Sequence, residues 1–225
     1  MTDALRSVLP AALSAAALLT AGVYLLAGQE ATSLPQPDTK GKTTLAQALA
    51  RRRSIRHFSN TALTGEQISQ LCWSAQGVTD TRGYRTAPSA GATYPLGLYV
   101  ATADGVQRYV PGRHALVAHI DGDVRKPLAA AALGQLWVAG APAVFVIAAD
   151  VQRTARRYGK RAERYVWMEV GHAAQNLLLQ ATALGLGSVP VGAFEDDRVA
   201  ESLQLPASQR PLYILPVGRP KQKEK

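Results

Sequence analysis

The 225-residue sequence has a single cysteine and four histidines, so several kinds of site are not expected in it. One cysteine, Cys72, excludes an internal disulfide, and its apolar helical surroundings indicate a buried structural thiol. The histidines show no metal-ligand spacing. Ser89 lacks the G-x-S-x-G context of a hydrolase nucleophile. The sequence therefore predicts neither a metal site nor a serine hydrolase.

Acidic residues are also scarce, with 16 against 25 basic ones and a formal charge of +9. Such a balance makes anionic partners plausible: nucleic acid, phospholipid headgroups or a phosphorylated cofactor. Aromatic residues make up only 6% of the chain, and no nucleic-acid motif is present. No nucleic-acid partner is therefore expected. Hydrophobic content of 47% indicates a folded chain rather than a disordered one.

The N-terminal region contains the longest uncharged run, from residue 8 to residue 28. Its length suits a bilayer-spanning helix, so residues 1–28 are predicted to be an uncleaved membrane anchor. A cleaved signal peptide is the second interpretation, and a soluble helix is the third. Arg6 before the run and Glu30 after it predict that the domain following the run lies on the periplasmic or extracytoplasmic side. Without an anchor or signal, the protein would be cytoplasmic.

Beyond this run, residues 29–43 are polar and proline-containing, which predicts a linker. A single domain is predicted over 44–220, followed by a charged tail at 221–225. Thr44 can cap a first helix, and the T-x-x-Q spacing at 64–67 predicts a capping box on a second.

Later in the domain, Asp104-Gly105 between two β-rich runs predicts a hairpin. Further strands are predicted at LVAHI, PAVFVIAA and PLYILPVG, helices at DVRKPLAAAALGQL, about 151–184 and DDRVAESLQ, and an extended segment at GSVPVGAF. Because the hairpin comes early and no regular βαβ alternation follows, the predicted fold class is α+β.

Three local patterns have both a structural and a functional interpretation. The run RRRSIRHF, which includes Arg51, is either a solvated basic helix end or a phosphate site built from arginine forks. LGLGSVPVGAF is not a dinucleotide fingerprint. It is either a helix end entering a strand or a backbone lying against a flat ligand. Glu169 and His172 form a lone E-x-x-H pair, which favours helix packing over metal binding.

Four segments in order, RRSIRHF, PSAGATYPL, HAAQNLLLQATALGLGSVPVGAF and ILPVGRP, resemble the flavin-dependent nitroreductase superfamily. The similarity is closest to its SagB-type branch, which includes thiazoline and oxazoline oxidases. The resemblance implies a nitroreductase-like α+β fold, with a central antiparallel or mixed sheet between helices. It also implies an obligate homodimer with FMN at the interface. The implied activity is hydride transfer between a reduced donor such as NAD(P)H and an unidentified acceptor, a small molecule or a peptide.

The resemblance assigns cofactor contacts residue by residue. The FMN phosphate and ribityl chain would be held by Arg52, Arg53 and Ser54, with a second phosphate-side cation at Arg219. Arg56 would lie near the pyrimidine edge of the ring. A loop from the partner subunit would consist of Pro88, Ser89, Ala90 and Gly91. The segment against the ring would consist of Pro190, Val191, Gly192 and Ala193.

Two residues are expected to act in catalysis. The backbone N–H of Ala193 would lie near N5 of the flavin. Azoline-oxidising relatives carry a Lys-Tyr pair where this sequence has Arg157-Tyr158, which leaves Tyr158 as the second catalytic candidate. A permanently protonated arginine is a poor base, so peptide azoline oxidation is the alternative function. A rival of another class is a membrane-tethered module that binds anionic partners without redox activity.

Overall fold

Seven strands and seven α-helices make up the described part of the chain, residues 31–221 of a computed structural model. The strands are β1 (Ala31–Ser33), β2 (Leu96–Ala101), β3 (Gly105–Val110), β4 (Ala115–Asp121), β5 (Ala143–Ala149), β6 (Gly187–Ser188) and β7 (Arg210–Gly218). The helices are α1 (Leu45–Arg51), α2 (Gly65–Gln76), α3 (Arg125–Ala131), α4 (Leu136–Ala139), α5 (Val151–Tyr158), α6 (Ala162–Ala183) and α7 (Asp196–Ser202). The predicted anchor lies outside the described residues, as does most of the predicted tail.

The strands form one sheet in the order β1-β4-β3-β2-β5-β7-β6, and all neighbouring pairs are antiparallel. Strand β5 lies in the middle and is buried along its whole length. Its alternate side chains pack on opposite faces, Phe145 against α2 and α6, and Val146 against the side of α3, α4 and α7. The predicted α+β class with a helix-flanked antiparallel sheet is confirmed.

Local sequence signals explain several elements. Thr44 and Thr64 both form capping boxes, with Gln47 and Gln67 as the reciprocal partners. Cys72 is fully buried in α2, and this burial raises the pKa of its thiol. Between residues 31 and 221, no helix combines the length and apolar character needed to cross a bilayer.

Three boundaries differ from the sequence predictions. The predicted linker contains β1, which pairs with β4, and the Leu34 N–H donates to the His114 carbonyl at 3.0 Å. The described domain therefore begins at Ala31 instead of Thr44. Three small residues at a sheet edge are too few to show an alternating pattern.

The other two differences involve residues with positive φ. The helix predicted after Asp123 stops at Ala131, because Leu133 and Gly134 take left-handed backbone angles (φ 57° and 73°). The hairpin loop lies one residue earlier than predicted: the Thr102 N–H donates to the Gly105 carbonyl at 2.9 Å. Gly105 therefore begins β3 instead of forming the turn.

Candidate active site

Three of the four predicted cofactor segments meet at the β6 edge of the sheet. After α1 the chain runs along β6, where the Ile55 N–H donates to the Ser188 carbonyl at 3.0 Å. Further along, the Ser59 N–H donates to the Arg219 carbonyl at 2.9 Å. A Cβ on Gly187 would lie 2.7 Å from the Cβ of Ile55, so only glycine allows this approach. The edge therefore joins RRRSIR, GSVPVGA and VGRP.

Four arginines, which we call the cation edge, belong to these segments: Arg52, Arg53, Arg56 and Arg219. Arg53 donates to the carbonyls of Ala50 and Arg52, and the Arg56 guanidinium lies 5.4 Å from the centre of the Trp137 ring. Among residues 31–221, every ion pair of the structure involves other side chains. The cation edge, with the exposed Ser54 hydroxyl, therefore suits a phosphate.

The segment from Pro190 to Ala193 leaves this edge with its last two residues open to solvent. Val191 exchanges backbone hydrogen bonds with Ile214 of β7. Within the described chain, the backbone N–H groups of Gly192 and Ala193 have no protein acceptor. The Gln135 side chain donates to the Ala193 carbonyl at 2.8 Å and holds the segment in place. Two free N–H groups on a fixed, exposed backbone can donate hydrogen bonds to a flat polar ligand.

The fourth segment, which we call the lip (residues 88–94), is tightly wound. Gly91, Ala92 and Tyr94 all have positive φ (58°, 52° and 46°), and the Tyr94 N–H donates to the Ser89 Oγ at 2.9 Å. A Cβ on Gly91 would lie 2.7 Å from the Tyr158 hydroxyl. A side chain at this position would therefore meet Tyr158 of the same chain, in addition to the strain of a left-handed backbone angle.

Two polar side chains, the buried Glu169 and the partly buried Arg85, lie next to residues of the lip. Glu169 of α6 is only 3% exposed, and its Oε1 has no hydrogen-bond partner among the described residues. Burial raises the pKa of Glu169 to about 7, although the Ser89 hydroxyl and the charge of Arg85 act in the opposite direction. Arg85 donates to the Gln76 Oε1 at 2.7 Å and lies 4.3 Å from the centre of the Tyr94 ring.

The sequence prediction missed Arg85 altogether and gave Glu169 no link to the lip. His172, the other half of the E-x-x-H pair, is exposed. The sequence did offer one signal for Glu169, an acidic residue on the apolar side of a long helix. Its proximity to the lip, however, depends on tertiary structure.

The lip and the cation edge lie at opposite ends of β7 in one chain. The lip enters β2 at Leu96, which pairs with Ala149, and Ala149 pairs with Arg210 at the start of β7. The edge adjoins Gly218 at the other end of β7. Nine residues of strand correspond to about 27 Å.

A cavity of about 580 Å³ lies at the lip, lined by Tyr84, Arg85, Pro88, Ser89, Gly91, Ala92, Tyr94 and Arg157. It includes neither the cation edge nor the segment 190–193. Of the two predicted catalytic residues, Tyr158 lies beside the lip. Ala193 follows Val191, which pairs with Ile214 in the middle of β7, and Ala193 does not line this cavity.

This sheet, flanked by helices on both faces and bearing a cationic edge, defines an α+β fold of the nitroreductase type. Residues 49–219 match the nitroreductase family, and the chain belongs to that family. A nitroreductase of Methanocaldococcus jannaschii is 49% identical over 181 residues, covering 78% of this chain and 90% of the relative. An FMN reductase (NADPH) of Bacillus subtilis is 27% identical, covering 77% of this chain and 65% of that protein.

Solved structures agree with this assignment. The crystal structure of a nitroreductase from Ralstonia eutropha superposes with a TM-score of 0.78 at 31% identity, covering 85% of this chain and 90% of that one. A nitroreductase from Anabaena variabilis gives 0.75 at 26% identity, covering 86% of this chain and 42% of the other. The predicted family and enzyme class, an oxidoreductase, are confirmed, so the non-redox binding module is rejected. None of these matches is specific to the SagB-type branch.

Proposed function

We propose that the protein is an FMN-dependent oxidoreductase that uses NAD(P)H as hydride donor and works as a homodimer. Membership of the nitroreductase family supports the flavin, and the relative named FMN reductase (NADPH) supports both cofactor and donor. The acceptor is a small molecule or a peptide. Bound FMN would supply the hydride-accepting ring, and the chain would supply its position and electrostatics.

The residues of the β6 edge fit this cofactor. Arg52, Arg53 and Arg219 hold the phosphate, and the Ser54 hydroxyl adds a donor to the phosphate or ribityl chain. Arg56 places positive charge at the pyrimidine edge, where reduction increases negative charge. The free N–H of Ala193 offers a hydrogen bond to the ring. These groups are fixed by the backbone bonds to Ser188 and Arg219, so they need little reorganisation.

The observation that carries the proposal is the separation of the lip from the cation edge by the length of β7. The separation favours an arrangement in which the lip of one subunit contacts the flavin held by another. Apolar side chains on α1 and α6 support such an assembly: Leu45 is 67% exposed, Leu49 54%, Trp167 57% and Met168 48%. Exposed apolar patches of this kind are typical of subunit interfaces.

A SagB-type peptide azoline dehydrogenase is the second candidate, favoured by the place of Tyr158 against the lip. Arg157 cannot act as the base there, so proton transfer would fall to Tyr158 or Lys160. Azoline-containing and azole-containing peptides, compared by mass spectrometry, test this candidate. A mass loss of two hydrogens per ring in the presence of enzyme supports it.

From the sequence alone we also propose that residues 1–28 anchor the protein in the inner membrane, with the domain on the extracytoplasmic side. Cell fractionation tests the anchor, because an anchored chain remains with membranes after a high-salt wash. Protease accessibility in intact spheroplasts tests the sidedness.

The oxidoreductase proposal is tested by purifying the full chain and recording its visible spectrum. A flavin spectrum that bleaches on anaerobic addition of NADPH or NADH is expected. A colourless protein that FMN cannot reconstitute would refute the proposal.

A further inference from the structure

A row of basic side chains runs along α5 and into the first turn of α6. Its members, which we call the basic stripe, are Arg153, Arg156, Arg157, Lys160, Arg161 and Arg164. The first three lie in α5, Lys160 and Arg161 lie in the 3₁₀ turn that follows, and Arg164 lies in the first turn of α6. All are exposed. The acid within this stretch, Glu163, pairs with Arg210, another cation, at 3.4 Å.

The basic stripe meets the cavity at the lip through Arg157. Its guanidinium donates to the Gly91 carbonyl at 3.3 Å, and it lines the cavity of about 580 Å³ together with Arg85. Tyr84 and Tyr94 line the same cavity, each with an arginine guanidinium over one face of its ring (Arg82 at 4.6 Å and Arg85 at 4.3 Å), and none of the lining residues is acidic. A flat molecule with a negative charge matches these walls.

The positive charge of Arg85 is only partly balanced by nearby negative charge in this cavity. Its side chain is partly buried, and burial together with the nearby charge of Arg153 lowers its pKa. Its hydrogen-bond partner, the Gln76 amide, carries no charge. The carboxyl group that acts on it, Glu169, has a pKa raised to about 7 by burial and is therefore partly protonated at neutral pH. A buried cation without a full counter-charge favours an anionic ligand.

We propose that the cavity at the lip binds an anionic, planar substrate, with Arg85 and Arg157 contacting its anionic group. The exposed members of the basic stripe raise the rate of encounter with that anion by electrostatic steering. This inference rests on the proposed oxidoreductase function and adds to it the charge class of the substrate.

Two acceptors of opposite charge type test the inference on the full-length, flavin-loaded protein. Anthraquinone-2-sulfonate serves as the anionic probe and menadione as the neutral probe, with NADPH held at one saturating concentration. Each quinone takes up two electrons and two protons, supplied as hydride from NADPH and a proton from solvent. Raising salt from about 20 to about 300 mM is expected to lower kcat/KM for the sulfonate by about tenfold relative to menadione.

Substitutions show which residues produce the preference for the anionic acceptor. Arg157→Gln should lower the sulfonate-to-menadione ratio of kcat/KM by about fivefold to tenfold through KM. The pair Arg156→Gln and Lys160→Gln, which does not line the cavity, should lower the ratio by about threefold and weaken its salt dependence. Arg198→Gln is the matched control, because Arg198 is exposed, already paired with Glu195 at 2.9 Å and does not line the cavity. It should leave the ratio unchanged.

Several results would overturn the inference. An unchanged ratio in the Arg157 variant would do so, and so would an equal drop in the Arg198 control. Loss of flavin from the Arg157 variant would assign this residue to the cofactor instead of the substrate. Failure of the function itself is distinguishable, because a protein without reducible flavin fails before any acceptor is compared. Flavin that NADPH reduces, combined with no charge preference, refutes this inference alone.

Discussion

The backbone N–H of Ile55 donates to the carbonyl of Ser188 at 3.0 Å, and this bond fixes the arginine segment to the edge strand β6. Because β6 leads directly into Pro190–Ala193, one backbone contact sets the distance between the phosphate-binding cations and the ring-binding segment. The contact is possible only because Gly187 has no side chain beside Ile55.

Gly187→Ala should therefore disturb the site as well as the fold. The added Cβ would lie 2.7 Å from the Cβ and Cγ2 of Ile55, and the Cβ cannot move without the backbone. We expect a loss of about 1–3 kcal/mol in the free energy of unfolding and weaker FMN binding. Gly65→Ala is the control, since no atom lies within 4 Å of its added Cβ. Urea denaturation measures the stability and flavin titration measures the FMN affinity. Equal values for the Gly187 and Gly65 variants would contradict the interpretation.

The double substitution Arg52→Ala and Arg53→Ala should remove most of the bound flavin. Charge-assisted bonds to phosphate contribute about 1.5–3 kcal/mol each, so the dissociation constant should rise by at least about a hundredfold. Arg51→Ala, one residue earlier in the same basic run, should retain the cofactor. The ratio of flavin to protein after gel filtration gives the answer. Full occupancy in the double variant would mean that the phosphate is held elsewhere.

Gly91→Ala should destabilise the lip for two separable reasons. One is the left-handed backbone angle (φ 58°), and the other is the approach of the new Cβ to the Tyr158 hydroxyl. Gly83→Ala isolates the first cost, because Gly83 has φ 85° but no atom within 4 Å of its added Cβ. A strained backbone costs on the order of 1 kcal/mol. Adding Tyr158→Phe should restore part of the loss at Gly91 only. If the effects of Gly91→Ala and Tyr158→Phe on the free energy of unfolding were strictly additive, the contact between the two positions would be contradicted.

Glu169 should make stability depend on pH in a defined direction. Burial raises its pKa from an ordinary 4.5 to about 7, so the folded protein retains a proton that the unfolded chain has released. Stability therefore falls as pH rises from 4.5 towards 7, by up to about 3 kcal/mol.

Glu169→Gln lacks this titration and should gain stability over the wild type between pH 5 and pH 8. The free energy of unfolding of both proteins is measured in urea at pH 5 and at pH 8. The difference between the two proteins at each pH removes the contribution of all other titrating groups. A constant difference between them would show that Glu169 does not titrate in this window.

Local patterns predicted most of the fold but only part of the site. The T-x-x-Q box at 64–67 and the strand of PAVFVIAA are short-range features that appear in the structure, and the predicted hairpin forms with its loop one residue earlier. The strand β1 was not predictable, because its three residues become a strand only by pairing with β4. The end of α3 depends on left-handed angles at Leu133 and Gly134 that an alanine-rich run does not reveal.

Within the candidate site, local sequence left the arginine run and the turn at Gly192 with a structural as well as a functional interpretation, and the family resemblance gave them their proposed roles. The support of the lip by Glu169 and Arg85 was not predicted, since these residues are 84 positions apart and meet only through tertiary packing. The distance between lip and cation edge is likewise a property of the sheet, set by the length of β7.

A purified heterodimer tests the central claim, that each flavin is held by the cation edge of one subunit and the lip of the other. One subunit carries Arg52→Ala and Arg53→Ala, and the other carries Pro88→Trp at a lip position that is exposed in the single chain. Each homodimer should bind no flavin. Because the heterodimer contains one site with both halves intact, we expect one FMN per dimer. A heterodimer that binds none, while wild-type dimer binds two, would contradict the account.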